Sequence, residues 1–214
     1  MTATRASHPV FARFYAWLSP KMEAAGMAEH RRVLLAGLQG RVIEAGAGNG
    51  LNFAHYPPQV TSVLAVEPEG YLREAARRNA RTAPVPVEVV EGVAERLPAL
   101  DATFDAGVVS LALCSVANLH TAVRELYRVI RPGGQLRALE HVRAASPTLY
   151  RVQRLLDATV WPTVGGGCHT SRDTAAAIEQ AGFEIRQLTR FRFPDAPVPT
   201  PTSPHILATA IRPE

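Results

Sequence analysis

The sequence predicts an α/β fold, a mostly parallel sheet with helices on both faces, built as a single domain. Three observations predict it. Apolar, β-rich runs alternate with helical patterns along the chain. The first of these runs ends in a glycine-rich turn, Glu44-Ala45-Gly46-Ala47-Gly48-Asn49-Gly50. The last two runs are joined by Pro194–Pro204, a segment with five prolines that is too short for a crossover, so that pair should be antiparallel.

In chain order, strands are expected at Arg41–Ala45, Ser62–Glu67, Val85–Val90, Phe104–Leu111 and Gln135–His141. Helices between them are expected at Tyr71–Arg81 and Leu119–Ile130, which gives βαβ units and a parallel sheet. Phe104–Leu111 lacks polar alternation and reads as buried on both faces. Arg131-Pro132-Gly133-Gly134 supplies a helix stop and a turn. A later helix is expected over Thr170–Ala181, with Ser171 as its N-cap and Gly182 as its stop. The closing strands are Phe183–Phe193 and His205–Arg212. Upstream, Phe11, Phe14, Tyr15 and Leu18 recur at helical spacing ahead of a second helix near Met22–Leu38. That stripe serves either as core against the sheet or as a lid over a ligand. Residues 1–38 are therefore read as a helical cap on the main unit, 39–214.

At 214 residues the chain is long enough to bury a core without staples. Cys114 and Cys168 make neither a disulfide framework nor a complete zinc site, and Gly165-Gly166-Gly167-Cys168-His169 has no paired ligand spacing, so no metal is expected. Arg5, His8 and Arg13 interrupt any signal-peptide core, and the uncharged run Ala106–Ala117 is too short to span a bilayer. A cytoplasmic protein with no integral membrane segment is the expectation. The net charge is +4, and Lys21 is the only lysine among the 23 cations. Arg73, Arg77, Arg78 and Arg81 have the spacing of one solvated helix face, with Glu69 and Glu74 nearby, so no nucleic-acid partner is expected.

The glycine turn lets the backbone approach a ligand closely. Its G-x-G-x-G spacing differs from the G-x-G-x-x-G of pyrophosphate-binding dinucleotide folds. Glu44 would repel a phosphate and suits a ligand bearing an ammonium group. Glu67, 21 positions after Gly46, is placed to accept both hydroxyls of a ribose, in either a nicotinamide or an adenosyl cofactor.

Taken in order, E-A-G-A-G-N-G, V-E-P, G-V-A-E-R-L-P, F-D-A-G-V-V and R-P-G-G resemble the class I S-adenosylmethionine-dependent methyltransferases, type 11 domain. The resemblance implies a Rossmann-like seven-stranded, mostly parallel sheet with an antiparallel last strand, and S-adenosylmethionine as cofactor. It implies that Gly46, Ala47, Gly48 and Gly50 shape the methionine and ribose cradle. Glu44 then lies near the amino group, Glu67 with Pro68 at the ribose, and Val93, Ala94 or Glu95 beside the adenine, with Asn52, Ser110 and Leu111 completing the site. Where many relatives carry an aspartate for the adenine amine this chain has Val93, so Glu95 or a backbone carbonyl must serve.

A narrower similarity runs through N-F-A-H-Y-P-P, L-A-L-C-S-V, L-E-H-V, G-C-H-T-S-R-D and P-H-I-L-A-T-A. These segments resemble the alkyl-thiol methyltransferases. The resemblance implies methyl transfer to a small apolar acceptor, a thiol first, with a quinone carbon, a phenol oxygen or a lipid amine as alternatives. A nicotinamide oxidoreductase and a cofactor-holding module without turnover remain the competing classes. His141, at the carboxyl edge of a strand, is the candidate base, with His169 and His205 as weaker rivals. Tyr15, Cys114 and His169 are the candidate pocket residues.

Overall fold

The computed structural model describes residues 9–214; Arg5 and His8, and the start of the expected cap, lie outside the described residues. Strands β1 (Gly40–Ala45), β2 (Val60–Val66), β3 (Val87–Val90), β4 (Phe104–Ser110), β5 (Ile130–His141), β6 (Glu184–Arg192) and β7 (Pro204–Ile211) form one sheet in the order β3-β2-β1-β4-β5-β7-β6. All neighbours pair in parallel except β7, which runs antiparallel to both β5 and β6. The chain leaves β1 toward β2 and β3, then returns to place β4 on the other flank of β1. This reversal opens a crevice at the carboxyl ends of β1 and β4, where open α/β sheets take their ligands.

Burial follows the alternation of side chains along each strand. Ile43, Ala45 and Val109 pack on one face with α4 (Leu119–Val129) and α7 (Thr174–Gln180). Val42, Val63 and Val108 pack on the other with α2 (Ala28–Leu35) and α3 (Gly70–Ala80). The carbonyls at the end of α4 are closed by Arg212, whose Nη1 donates to Tyr127 O at 2.7 Å and to Ile130 O at 2.6 Å.

Several boundaries differ from expectation. The helix expected near Met22–Leu38 is broken: α1 (Pro9–Met22) runs into a π-helical turn at Glu23–Met27, where Gly26 has φ +117°, before α2 begins. Within α1, Phe14 is 52% exposed, so it leaves the apolar stripe, while Phe11 and Tyr15 stay half-buried. The Arg131–Gly134 turn is drawn into β5 as an irregularity between strands β4 and β5, held by a Gly133 N–H bond to Arg212 O. Ser171 is not the cap of α7; Asp173 caps it by accepting from Ala176 N at 3.2 Å. Helices α5 (Pro147–Asp157) and α6 (Trp161–Val164) were not anticipated. Leu155 and Val164 face outward from them, and α6 is a single turn of four residues, too short to show a period.

Asp157, at the end of α5, fixes the loop that leads into α7. It accepts from Thr170 N and Oγ1 at 2.7 and 3.0 Å and from Ser171 N and Oγ at 2.9 and 2.6 Å. Burial pushes its pKa up, but these four donors outweigh burial and hold it below the ordinary carboxylate range. Asp157→Ala is expected to lower the unfolding free energy by about 2–3 kcal/mol, since it strands donors to a charged acceptor. The contribution is full above the ordinary aspartate pKa and is lost on acidification through the lowered one. Denaturant titration of both proteins at neutral and acidic pH measures it; equal stability at neutral pH would discard this role.

Candidate active site

The crevice is built from the turn after β1, the loop after β4, the last residue of β5 and the glycine loop between α6 and α7. Gly46 has φ +72°, and a Cβ there would lie 2.5 Å from Ala112 Cβ, so only glycine lets these two loops meet. Gly46 N and Ala47 N both donate to Val66 O, which ties the turn to the end of β2. Gly48 N donates to Glu67 Oε2 at 2.7 Å, and Glu69 N donates to Oε1 at 2.9 Å. Glu67 is thus a structural brace of the turn as well as a candidate ligand group. Burial raises its pKa, and its two backbone donors oppose that rise. Gly50 differs from the other two motif glycines: a Cβ there would strike the Phe53 ring at 2.5 Å, so it serves packing beneath the turn.

Glu44 is buried, with one oxygen accepting from Tyr56 Oη at 2.6 Å and the other from Asn52 Nδ2 at 2.8 Å. Burial raises its pKa to about 7, with the Tyr56 and Asn52 hydrogen bonds and the Arg31 charge opposing the rise. Asn52 in turn accepts from Arg31 Nη1 at 2.9 Å. The same guanidinium donates to Ser110 Oγ at 2.8 Å and, through Nε, to Glu23 Oε1 at 2.9 Å. Arg31 therefore joins α2 to the ends of β1 and β4 from a position only 4% exposed. Sequence reasoning missed it and Tyr56. No local signal separates Arg31 from its neighbour Arg32 on a helix that also carries Glu29 and His30; only its burial in the fold does.

Helix α1 covers this turn. The Tyr15 ring would contact a Cβ on Gly48 at 3.6 Å, Ser19 Oγ accepts from Asn49 Nδ2 at 2.9 Å, and Phe11 lies against Gly166. Leu111, just past β4, holds a left-handed φ of +55° and donates its N–H to Leu139 O at 2.8 Å. Such backbone in a non-glycine residue persists only where its surroundings hold it, and it aims the chain at the site. Pro68 follows Glu67 at the rim and accepts from Arg73 Nη1 at 3.0 Å. In the loop after β3, Val93 bridges to Arg96, Ala94 is buried, and Glu95 Oε1 accepts from Asn118 N at 3.1 Å. Glu95 is thereby turned toward the start of α4.

The second half of the crevice carries sulfur and nitrogen. Among the described residues, Cys114, His141 and Cys168 bring their donor atoms within 4.8 Å of one another, all buried. His141 Nε2 lies 3.1 Å from Cys168 Sγ, and Trp161 Nε1 donates to the same sulfur at 3.2 Å. The Cys114 thiol is held well below its ordinary pKa by a hydrogen bond from Cys168 and by the charge of His141, while Cys168 is raised by the same partnership. Cys168 thus pairs with Cys114 and His141 across the fold rather than with its neighbour His169. The His169 ring folds back on its own loop, Nδ1 against Gly167 O at 2.8 Å. His205, opposite His141 in the β5–β7 register, is lowered to about 4 by burial and stays neutral, its Nδ1 against Ser203 O at 2.8 Å. Glu140, also missed, accepts from Ala112 N and Leu113 N at 2.9 and 3.0 Å and is raised by burial to about 8. A groove lined by Gln39, Asp105 and Arg131 lies at the opposite, amino edge of the sheet, away from all these groups.

A family profile described as a methyltransferase domain matches residues 43–138. The thiol S-methyltransferase TMT1B of Rattus norvegicus is 34% identical over 182 residues, covering 80% of this chain and 70% of that protein. A ubiquinone/menaquinone biosynthesis C-methyltransferase, UbiE of Brucella anthropi, is 34% identical over 115 residues, 46% of this chain and 44% of its own length. Among solved structures, a geranyl diphosphate methyltransferase in complex with SAM superposes with a TM-score of 0.66 at 16% identity, over 88% of this chain and 85% of that one.

Replacing Arg31 tests the buried junction directly. Arg31→Ala is expected to lower stability by about 3–5 kcal/mol, because Glu23 and Asn52 lose their charged partner inside the protein. Arg31→Lys should recover little, since one ammonium cannot reproduce the spread of donors from Nε and Nη1. Urea midpoints of the three proteins read the effect, and a lysine variant as stable as the parent would contradict it.

Proposed function

The chain belongs to the class I S-adenosylmethionine-dependent methyltransferases, and from that premise we propose that it carries the methyl group to the sulfur of a small apolar thiol. The observation that supports the thiol is the meeting of three distant segments. L-A-L-C-S-V, L-E-H-V and G-C-H-T-S-R-D, separated in sequence, put Cys114, His141 and Cys168 together at the acceptor edge. The similarity to a protein named a thiol S-methyltransferase, over most of the chain, points the same way. The nicotinamide reading gives way to the methyltransferase family. A quinone carbon remains the second reading, favoured by the UbiE similarity.

S-adenosylmethionine, when bound, supplies a methyl group already activated by a sulfonium charge. The turn fits such a group: its glycine backbone has no Cβ to obstruct an approach, and each Glu67 oxygen accepts only one protein donor, leaving lone pairs for a ribose diol. In the proposed roles, Gly46, Ala47 and Gly48 hold the methionine and ribose, and Glu67 with Pro68 orients the diol. Glu44, Asn52 and Ser110 keep a negative field beneath the ammonium, with Arg31 fixing their positions. Residues 93–95 and Leu111 flank the adenine. Helix α1, through Phe11 and Tyr15, serves as the lid that excludes water. Alignment of this kind removes roughly 7–11 kcal/mol of barrier in well-oriented reactions.

A free thiol has a pKa of about 8.5 and reacts as the thiolate, so the residues at the acceptor edge have a proton to manage. His141 is the proposed group, acting within its cluster with Cys114 and Cys168. A small-molecule acceptor in the cytoplasm, rather than a nucleic acid, belongs to the same proposal. Two of the arginines on α3 are engaged within the protein, Arg73 with Glu91 at 2.8 Å and Arg77 with Glu74. No helix among the described residues is long and apolar enough to cross a membrane.

Two outcomes check the reading. Glu67→Gln should weaken binding of S-adenosylmethionine by about 1.5–3 kcal/mol, the scale of lost charge-assisted hydrogen bonds. Because Glu67 also braces Gly48, a modest loss of stability should accompany it; calorimetry showing unchanged affinity would unseat the ribose assignment. In the second, labelled cofactor is presented with panels of thiols, quinones, phenols and amines. Methylation of small apolar thiols is expected, with His141→Ala slowing turnover most near neutral pH and less as pH rises past the acceptor's pKa. Turnover of quinones without thiols would replace the first reading by the second.

A further inference from the structure

We propose that Cys114, His141 and Cys168 form a three-ligand zinc site whose fourth position receives the sulfur of the acceptor; the fourth position rests on the thiol reading above, the three-ligand set does not. The three donors come from three elements: the loop after β4, the last residue of β5 and the glycine loop ahead of α7. Their Sγ, Nε2 and Sγ atoms lie within 4.8 Å of one another. A tetrahedral zinc with two sulfurs and one nitrogen needs donor separations of roughly 3.5–3.8 Å, given its bond lengths. Side-chain adjustments of about an ångström reach that geometry from the observed one, where Nε2 and the Cys168 sulfur stand 3.1 Å apart.

The donor loops are braced against each other by hydrogen bonds of their own. His169 N donates to Cys114 O at 2.8 Å, and Arg172 donates to Leu113 O and, at 2.7 Å, to Val116 O. Asp157 holds the following residues, Thr170 and Ser171, through four hydrogen bonds. Trp161 Nε1 supplies an N–H to the Cys168 sulfur, the kind of outer contact that steadies a ligating thiolate. His141 Nδ1 is buried and has no partner among the described residues, so the ring's one polar engagement is through Nε2, toward the sulfurs. Two cysteines packed only as apolar residues require no imidazole nitrogen between them. Two thiolates and one imidazole are a donor set that zinc favours, and three protein ligands with one open position is the arrangement of reactive rather than structural zinc.

In the reaction, His141 Nε2 is committed as a ligand, so the metal takes over the proton-managing role given to His141 above: an acceptor thiol binds at the fourth position and releases its proton to solvent. Its sulfur forms a bond to the methyl carbon while the bond from that carbon to the sulfonium breaks, the electron pair staying on the departing sulfur. A thiol and a sulfonium become two thioethers and one proton, with no change in oxidation state.

The test uses the full chain, reduced and stripped with chelator, then titrated with cobalt(II) as a spectroscopic substitute for zinc. One equivalent is expected to give the intense visible bands of tetrahedral cobalt and a sulfur-to-cobalt charge-transfer band. Cys114→Ser, Cys168→Ser and His141→Ala should each weaken uptake by at least roughly tenfold, the scale seen even for outer-shell changes. Circular dichroism and S-adenosylmethionine binding should show that these variants remain folded. Reduced protein that yields no tetrahedral spectrum, or a Cys114→Ser/Cys168→Ser double variant that yields the same one, overturns the site. That result, with both thiols found joined before reduction, would assign the pair to a disulfide instead. Adding a small thiol should shift the charge-transfer band; an unmoved band overturns the open fourth position. Cobalt binding by a protein that methylates quinones but no thiol would refute the thiol reading while upholding the three-ligand set.

Discussion

Parallel pairing of β1 with β4 is the constraint on which the rest of this protein depends. The register sets Glu44 beside Val108 and Ala45 beside Val109, so the two strands end together. Every parallel strand exhausts its ladder at its carboxyl end, and a ligand can use the backbone groups that emerge there. Because the chain reverses its lateral direction between these strands, the loops on either side diverge and leave a crevice rather than closing over it. Gly46, the Ala112 loop and the Leu111 backbone at φ +55° all follow from that geometry.

Placing a binding crevice at strand ends carries an electrostatic cost that the protein manages locally. Glu44 and Glu140 are both buried carboxyls, raised to about 7 and about 8 by burial. Each is held by donors from the neighbouring loop: Tyr56 and Asn52 for one, Ala112 and Leu113 for the other. Arg31 then offsets the first with a charge delivered from α2. Removing water from these groups strengthens whatever field they exert on a ligand, which is why the polar atoms sit under the turn rather than around it.

The antiparallel strand β7 has a second consequence. By sitting between β5 and β6 it sets His205 opposite His141 and seals that side of the sheet with Ile206 and Ala208. His141 is thereby confined to the crevice side, where the segment from Pro147 to Asp173 folds back over it with Cys168. That segment, with only the helices α5 and α6 in it, brings Cys168 to His141. Its position rests on a few polar locks, of which Asp157 and Arg172 are the chief ones.

Sequence by itself determined the sheet, the crossover pattern, the antiparallel end and the glycine turn with Glu44 and Glu67. These are local signals, since a strand's apolar run, a glycine's freedom of φ and a short connection each act within a few residues. The tertiary structure alone decided that Glu67 braces Gly48, that Arg31 reaches Asn52 and Ser110, and that α7 is capped by Asp173 rather than Ser171. It also decided that Cys168 belongs with Cys114 and His141 and not with the adjacent His169. The cap of α7 is a local choice between two polar residues two positions apart; the other pairings join residues 19 to 79 positions apart, from loops whose course depends on how the whole sheet packs, and no spacing along the chain encodes them.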